Sequence, residues 1–212
     1  MNFKDHFSAH AGAYAAARPH YPVALFAWLA TQAPARSAVW DAGCGNGQAA
    51  IALAQHFGSV IATDPSAEQI AQAEPHPRVN YRVEAAEAPT HTDASVDLVC
   101  VAQALHWFDL ERFYDGVRRV LRPEGVLAVW TYGLSRVSPE VDRVFLQLYT
   151  EILEPYWPPE RRHVENAYAD LAFPFAPIEA PQFAMECDWT LAQYLAYLRT
   201  WSATQRYQRE RG

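Results

Sequence analysis

Residues 38–47 read Ala38-Val39-Trp40-Asp41-Ala42-Gly43-Cys44-Gly45-Asn46-Gly47, and this stretch decides the fold. A short apolar strand runs into a loop with glycine at alternate positions, and a helix opens at once with Gln48. Glycine admits positive φ and carries no Cβ, so a ligand can lie against the backbone of Gly43, Gly45 and Gly47. The free N–H groups at the start of the following helix favour a carboxylate or another polar group at the same place. A dinucleotide fingerprint, G-x-G-x-x-G, requires its third glycine where this chain has Gln48. A second apolar strand, residues 59–63, delivers Asp64 to the same edge. A carboxylate there can accept both hydroxyls of a ribose, or it can N-cap a helix opening at Pro65, and the two roles are compatible. Asp41 either touches the ligand or holds the loop by accepting its N–H groups.

Outward from the loop, residues 37–132 alternate short apolar strands with amphipathic helices, the signature of a parallel sheet covered on both faces. Strands are expected at residues 38–41, 59–63, 79–83, 96–101 and 125–130, with helices at 48–56, 67–73 and about 110–121. Arg122-Pro123-Glu124-Gly125 reads as a turn, since proline stops the helix and glycine lets the chain re-enter a strand. Helices near 3–16 and 23–32 precede this region. After it, residues 139–153 and 160–171 look helical around the bend Glu154-Pro155-Tyr156-Trp157-Pro158-Pro159, then come a strand near 182–189 and an aromatic-rich helix to about 206. No Gly/Ser linker divides the chain, so residues 1–212 are read as one domain.

The 212 residues carry 24 acidic and 17 basic side chains, a net charge of −7, and half are hydrophobic, which fits an ordinary globular protein. No apolar run approaches the roughly 20 residues needed to span a bilayer, and Met1-Asn2-Phe3-Lys4-Asp5-His6 lacks the layout of a signal peptide. An acidic chain without a long basic run is poorly suited to nucleic acid. Three cysteines without CxxC spacing fit the reducing cytoplasm. The eight histidines are scattered, and none pairs with a second ligand at i, i+4, so no metal site is expected.

The pattern D-x-G-x-G-x-G at Asp41–Gly47 resembles motif I of the class I S-adenosylmethionine-dependent methyltransferases. Val83-Glu84-Ala85-Ala86-Glu87-Ala88-Pro89 looks like the family segment after the third strand, commonly G-D-A-E-x-L-P. It departs at Ala85, where the family places an acidic residue near the adenine amino group; Glu84 or Glu87 can substitute, and the backbone of Ala86 keeps its contact with the ring. Ala102-Gln103-Ala104-Leu105-His106-Trp107-Phe108-Asp109 and Tyr14-Ala15-Ala16-Ala17-Arg18-Pro19-His20-Tyr21-Pro22 resemble the trans-aconitate methyltransferase-like branch of the type-11 methyltransferase domain family. The resemblance covers residues 3–132. It implies a Rossmann-like α/β fold with a mostly parallel sheet and helices on both faces. It also implies S-adenosyl-L-methionine as cofactor, with S-adenosyl-L-homocysteine as product. It divides the domain into a helical lid (1–35), a cofactor-binding core (36–132) and a helical substrate cover with a terminal strand and helix (133–212). The family sheet normally has seven strands, and this sequence supplies no seventh.

Gln103, His106 and Trp107 leave the carboxyl end of the fourth strand, where the resemblance places the reactive methyl. Gln103 is read as a holder of the cofactor's methionine portion or of a substrate oxygen. His106 takes a proton from a hydroxyl, pairs with a carboxylate, or is a structural hydrogen-bonder. Trp107 walls the cofactor or packs, as does Phe108, and Asp109 N-caps the next helix. The resemblance places Phe7, Tyr14, Arg18 and Tyr21 over the cofactor, with Tyr14 and Arg18 in reach of a carboxylate. Of the tail aromatics, Tyr194, Tyr197 and Trp201 stand at the spacing of a core helix face. The function expected is methylation of a small molecule, on the oxygen of a carboxylate or hydroxyl, by a monomer or homodimer that uses neither nucleic acid nor membrane. The alternative is a catalytically weak S-adenosylmethionine-binding protein of the same fold.

Overall fold

The computed structural model describes residues 19–212. Helix α1 (Val23–Gln32) is followed by strand β1 (Ala38–Ala42), α2 (Gln48–Leu53), β2 (Ser59–Asp64), α3 (Ala67–Ala71), β3 (Val79–Val83), β4 (Val96–Ala102), α4 (Leu110–Val120) and β5 (Leu121–Trp130). The strands form one parallel sheet in the order β3-β2-β1-β4-β5. The chain reverses its direction of winding between β1 and β4, and open α/β sheets bind ligands at the carboxyl edge of such a switch point.

Alternation along the strands explains why both faces are covered. Val39, Val60, Ala62, Leu98 and Cys100 pack with α1 and α2 on one face. Trp40, Ala42, Val99 and Val101 pack on the other, under the Phe113, Val117 and Val120 stripe of α4. Trp40 is wholly buried, and its indole N–H donates to the Thr63 hydroxyl at 2.8 Å, tying β1 to β2. As expected, Asp109 caps α4 by accepting the Arg112 N–H. Ser66, rather than Asp64, caps α3.

Four expected features differ. Residues 122–125 lie within β5, but Leu121 pairs with Val96 and Val126 with Leu98, so the intervening residues loop out as a bulge. Pro123 has no N–H to give the ladder, and Glu124 takes a left-handed φ of 62°. Helix α5 (Pro139–Gln147) continues through a π-helical turn (Leu148–Ile152), but the helix expected over 160–171 is only α6 (Arg161–Glu165). It stops because Ala167 and Tyr168 are left-handed, with φ of 49° and 62°.

The strand expected near 182–189 does not form, and the sheet has no member after β5 among the described residues. Residues 172–190 form no regular element. Pro174, Pro177 and Pro181 deny this segment ladder donors, and its aromatics serve as anchors, Phe175 on Tyr114 and Phe183 on Trp28. The tail helix is broken into α7 (Leu191–Arg199) and α8 (Ser202–Arg211) by an extended Trp201. Trp201 joins Phe145, Tyr149, Leu153, Tyr197 and Leu198 in a small core of its own.

Candidate functional site

At the carboxyl edge of β1 and β4 lies a cavity of about 1000 Å³. Its walls include Gly43, Gly45 and Gly47 from the loop after β1, Asp64 from the end of β2, and Ala85, Ala86 and Glu87 from the segment after β3. Gln103, His106 and Trp107 from the end of β4 complete it. Seven expected cofactor contacts, Trp107 among them, thus meet there with His106. Tyr14 and Arg18 lie outside the described residues, as does Phe7.

The glycine loop is latched from β2. The Thr63 carbonyl accepts the N–H groups of Gly43 and Cys44 at 2.8 and 3.0 Å. Asp64 accepts from Gly45 through one oxygen and from Ser66 through the other, each at 2.9 Å. Holding the loop therefore falls to Asp64 and Thr63, not to Asp41. The three glycines divide the work. A Cβ on Gly43 would stand 2.7 Å from the Ala104 Cβ, and one on Gly47 would run into the Tyr81 ring, so these two exist for packing. Gly45 (φ 55°) is different: a Cβ there would have no neighbour nearer than Gln69 Oε1, at 3.8 Å, in the space a ligand would take. Gln69 Oε1 itself is buried without a hydrogen-bond partner.

Asp41 stands behind the loop and does not line the cavity; it is 0% exposed. Neither of its oxygens meets a donor in hydrogen-bonding geometry. Burial, and after it the Asp64 charge, push its carboxyl up to about 7, and the Ala50 N–H in the first turn of α2 offsets only part of this.

Beyond Ala86, the two glutamates expected to replace the missing acid at Ala85 are already engaged. Glu84 accepts from the N–H and hydroxyl of Thr90, and Glu87 accepts from the Asp109 N–H at 3.1 Å while lining the cavity. Gln103 has a left-handed φ of 55°. Its amide donates to the Tyr132 carbonyl at 3.0 Å and accepts from the Thr131 hydroxyl at 2.6 Å, which fixes the orientation of its head group. His106 has Nδ1 2.9 Å from the Tyr168 hydroxyl. Burial, reinforced by the nearby Arg161, lowers its pKa to about 4, so the ring is neutral at physiological pH. Trp107 packs on His106 at 4.6 Å, and Phe108 packs under Gly43 and on Phe113.

A second, smaller cavity of about 70 Å³ adjoins the first, and both are lined by Gln103, His106, Trp107 and Tyr132. Its far wall is built by Trp157, Arg161, Tyr197 and Trp201. Tyr197 and Trp201 thus belong both to the core cluster expected from their spacing and to a cavity wall. Sequence reading missed Arg161, Thr131 and Gln69. The only signal for Arg161 was its place beside the Tyr156-Trp157-Pro158-Pro159 turn. Among the described residues no group of His, Cys, Asp or Glu is placed to hold a metal, and no helix is long and apolar enough to cross a membrane.

Loop, acidic strand end and switch-point cavity define a nucleoside-binding methyltransferase site. A methyltransferase-domain family profile matches residues 40–129. A Dictyostelium discoideum protein named as a putative methyltransferase is 34% identical over 204 residues, covering 94% of this chain and 78% of its own length. A probable S-adenosylmethionine-dependent methyltransferase of Saccharomyces cerevisiae is 33% identical over 146 residues, which is 65% of this chain and 48% of that one. A solved structure described as a putative type II methyltransferase from Anaeromyxobacter dehalogenans superposes with a TM-score of 0.86 at 52% identity, over 92% of this chain and 83% of that one. The chain belongs to the class I S-adenosylmethionine-dependent methyltransferases. It is an S-adenosylmethionine-dependent enzyme with the Rossmann-like fold of that class.

Proposed function

We propose that this enzyme methylates a small molecule in the cytoplasm, on the oxygen of a carboxylate or hydroxyl. The observation that carries the reading is the place of His106 and Gln103. They stand at the junction of a cofactor-sized cavity and a small aromatic one, and His106 is neutral. A junction with so small a side cavity suits a small acceptor, and the net charge of −7 disfavours a phosphate backbone. Three unpaired cysteines, two of them buried, fit a reducing compartment.

Bound S-adenosylmethionine supplies a methyl group on a positively charged sulfonium, already activated for displacement. The chain's part is then alignment. Asp64, on the cavity wall at the carboxyl end of β2, receives the ribose hydroxyls. The exposed backbone of Gly45 and the unsatisfied Gln69 oxygen receive the polar end of the ligand, and Ala86 offers its backbone to the adenine. Gln103, locked by Thr131 and Tyr132, presents a fixed edge to the acceptor. His106 accepts the hydroxyl proton of an alcohol acceptor, whereas a carboxylate acceptor needs no base.

The reading is tested by incubating purified protein and S-adenosylmethionine with panels of small acids, phenols, alcohols and amines, and with tRNA and DNA, while following S-adenosylhomocysteine. An O-methylated small product supports it. Methyl transfer to nitrogen, carbon or nucleic acid overturns it. Tight cofactor binding with no turnover of any acceptor would favour the binding-protein alternative.

A further inference from the structure

The smaller cavity is aromatic on most sides and has one charged wall. Arg161 is its only Lys or Arg, and no Asp or Glu lines it among the described residues. The Arg161 guanidinium lies 5.0 Å over the Trp157 ring and 5.5 Å over that of Tyr149. Its Nε donates to the Tyr149 hydroxyl at 2.8 Å. Stacking and this one bond hold the fork in place, while its terminal amino groups make no hydrogen bond among the described residues. The nearest carboxylate, Glu165, stays 4.0 Å from Nε and accepts the Tyr149 hydroxyl instead. A guanidinium oriented in this way, one-fifth exposed, paired with Glu165 only on its Nε side at 4.0 Å and facing an aromatic cavity that no carboxylate lines, is built to take a planar anion two-handed on its terminal amino groups.

The cavity holds roughly five water molecules' worth of space, enough for the acidic end of a ligand whose body reaches toward the larger cavity. Arg161 stands on its far wall, and Gln103 and His106 lie where the two cavities join. We infer that the acceptor is an aromatic hydroxy acid: its carboxylate pairs with Arg161 in the smaller cavity, its ring reaches from there toward the shared wall of Trp107 and Tyr132, and its hydroxyl, not its carboxylate, is methylated beside His106. This rests on the O-methylation reading above and chooses between the two oxygens it left open, because a carboxylate held by Arg161 is kept from the cofactor side.

In the transfer, the hydroxyl oxygen bonds to the methyl carbon as the carbon–sulfur bond breaks and its electron pair stays on sulfur. The hydroxyl proton passes to Nε2 of His106, with Nδ1–H donating to Tyr168. His106 is a weak base, but a methylated hydroxyl is a far stronger acid than imidazolium, so the proton leaves as the new bond forms.

The test pairs 4-hydroxybenzoate and 4-hydroxycinnamate with their neutral methyl esters, in wild type, Arg161→Gln and Arg161→Lys, with circular dichroism confirming the fold. Wild type is expected to prefer the acids by about 100-fold in kcat/KM and to yield base-stable ethers. Arg161→Gln should lose that preference to within a few-fold while turning over the neutral phenols and binding S-adenosylhomocysteine as before, and Arg161→Lys should recover part of it. Base-labile methyl esters as products overturn the inference, as does an equal loss on acids and neutral phenols in a folded Arg161→Gln. Should nothing be turned over, calorimetry of the acids onto the S-adenosylhomocysteine complex decides separately. Binding that vanishes in Arg161→Gln upholds the carboxylate site though the O-methylation reading fails, and no binding to wild type overturns the site.

Discussion

Asp41→Asn isolates one buried charge. The Asp41 carboxyl titrates at about 7 in the fold against 3.8 in its unperturbed state, a rise of about three units. At about 1.36 kcal/mol per unit, its ionised form disfavours the folded state by about 4 kcal/mol above neutrality. For an acid whose folded pKa is raised, the native state holds the extra proton. Stability therefore falls as pH climbs from about 4 to about 7 and levels off above that. Asparagine keeps the shape and removes the charge, but it places an amide N–H₂ where no acceptor waits, at a cost of about 1–3 kcal/mol. The net expectation at pH 8.5 is a variant more stable by about 1–3 kcal/mol, with the advantage gone or reversed by pH 5. Urea unfolding at four pH values, read at constant m, measures this directly. Parallel pH profiles for the two proteins would refute the reasoning, since they would show that Asp41 is solvated or hydrogen-bonded. The same charge bears on function, because the bound cofactor is cationic and would draw the proton off Asp41. Binding near pH 6.5 should release a fraction of a proton in wild type and less in the variant, as seen by calorimetry in buffers of different ionisation heat.

Gly45→Ala should fold with a loss of about 1 kcal/mol for its left-handed backbone but bind S-adenosylmethionine at least tenfold more weakly, whereas Gly43→Ala, meeting the Ala104 side chain, should lose stability first; thermal melts and cofactor titrations separate the two. Asp64→Ala removes the acceptor of two backbone N–H groups, so about 1–3 kcal/mol of stability should go together with cofactor binding, and unaltered binding would show that the ribose is held elsewhere. His106 should titrate near 4, and its imidazole resonances should keep the neutral form at pH 6; a midpoint near 6.5 would mean that the ring is open to water. Because His91 and His106 both have lowered pKa values, the unfolded chain binds protons first, and their contribution to stability is lost as pH falls below about 6.5, for His106 down to about 4. Replacing His91, whose ring packs on Trp40 with neither nitrogen hydrogen-bonded, by Phe should flatten that acid limb in urea unfolding.

The cofactor half of the protein was legible from local pattern. The strands β1 to β4, the loop glycines and Asp64 lie where periodicity and turn chemistry place them, because β1 and β4 are buried along almost their whole length and each βα turn is a local event. The cover was not. The stretch 182–189 has strand-like alternation, yet the three prolines before it and the anchoring of Phe175 and Phe183 on different helices make the whole segment an irregular tether. The left-handed pair Ala167–Tyr168 ends α6 early and sets Tyr168 against His106, a contact across 62 residues that no local pattern announces.

By itself, then, the sequence determined the class of fold, the cofactor and the edge of the sheet where it binds, since glycine spacing and strand-end carboxylates act within one or two turns of chain. Tertiary structure alone decided which glycine faces the ligand and which two serve packing. It also decided that Asp64 rather than Asp41 holds the loop, that His106 is neutral, and that Arg161 closes an aromatic cavity beside it. Each of these depends on what lies across the fold from the residue in question: the Cβ of Ala104, the Thr63 carbonyl, the Tyr168 hydroxyl, the rings of Trp157 and Tyr149. Burial and charge are properties of that surrounding volume, and only the folded chain assembles it.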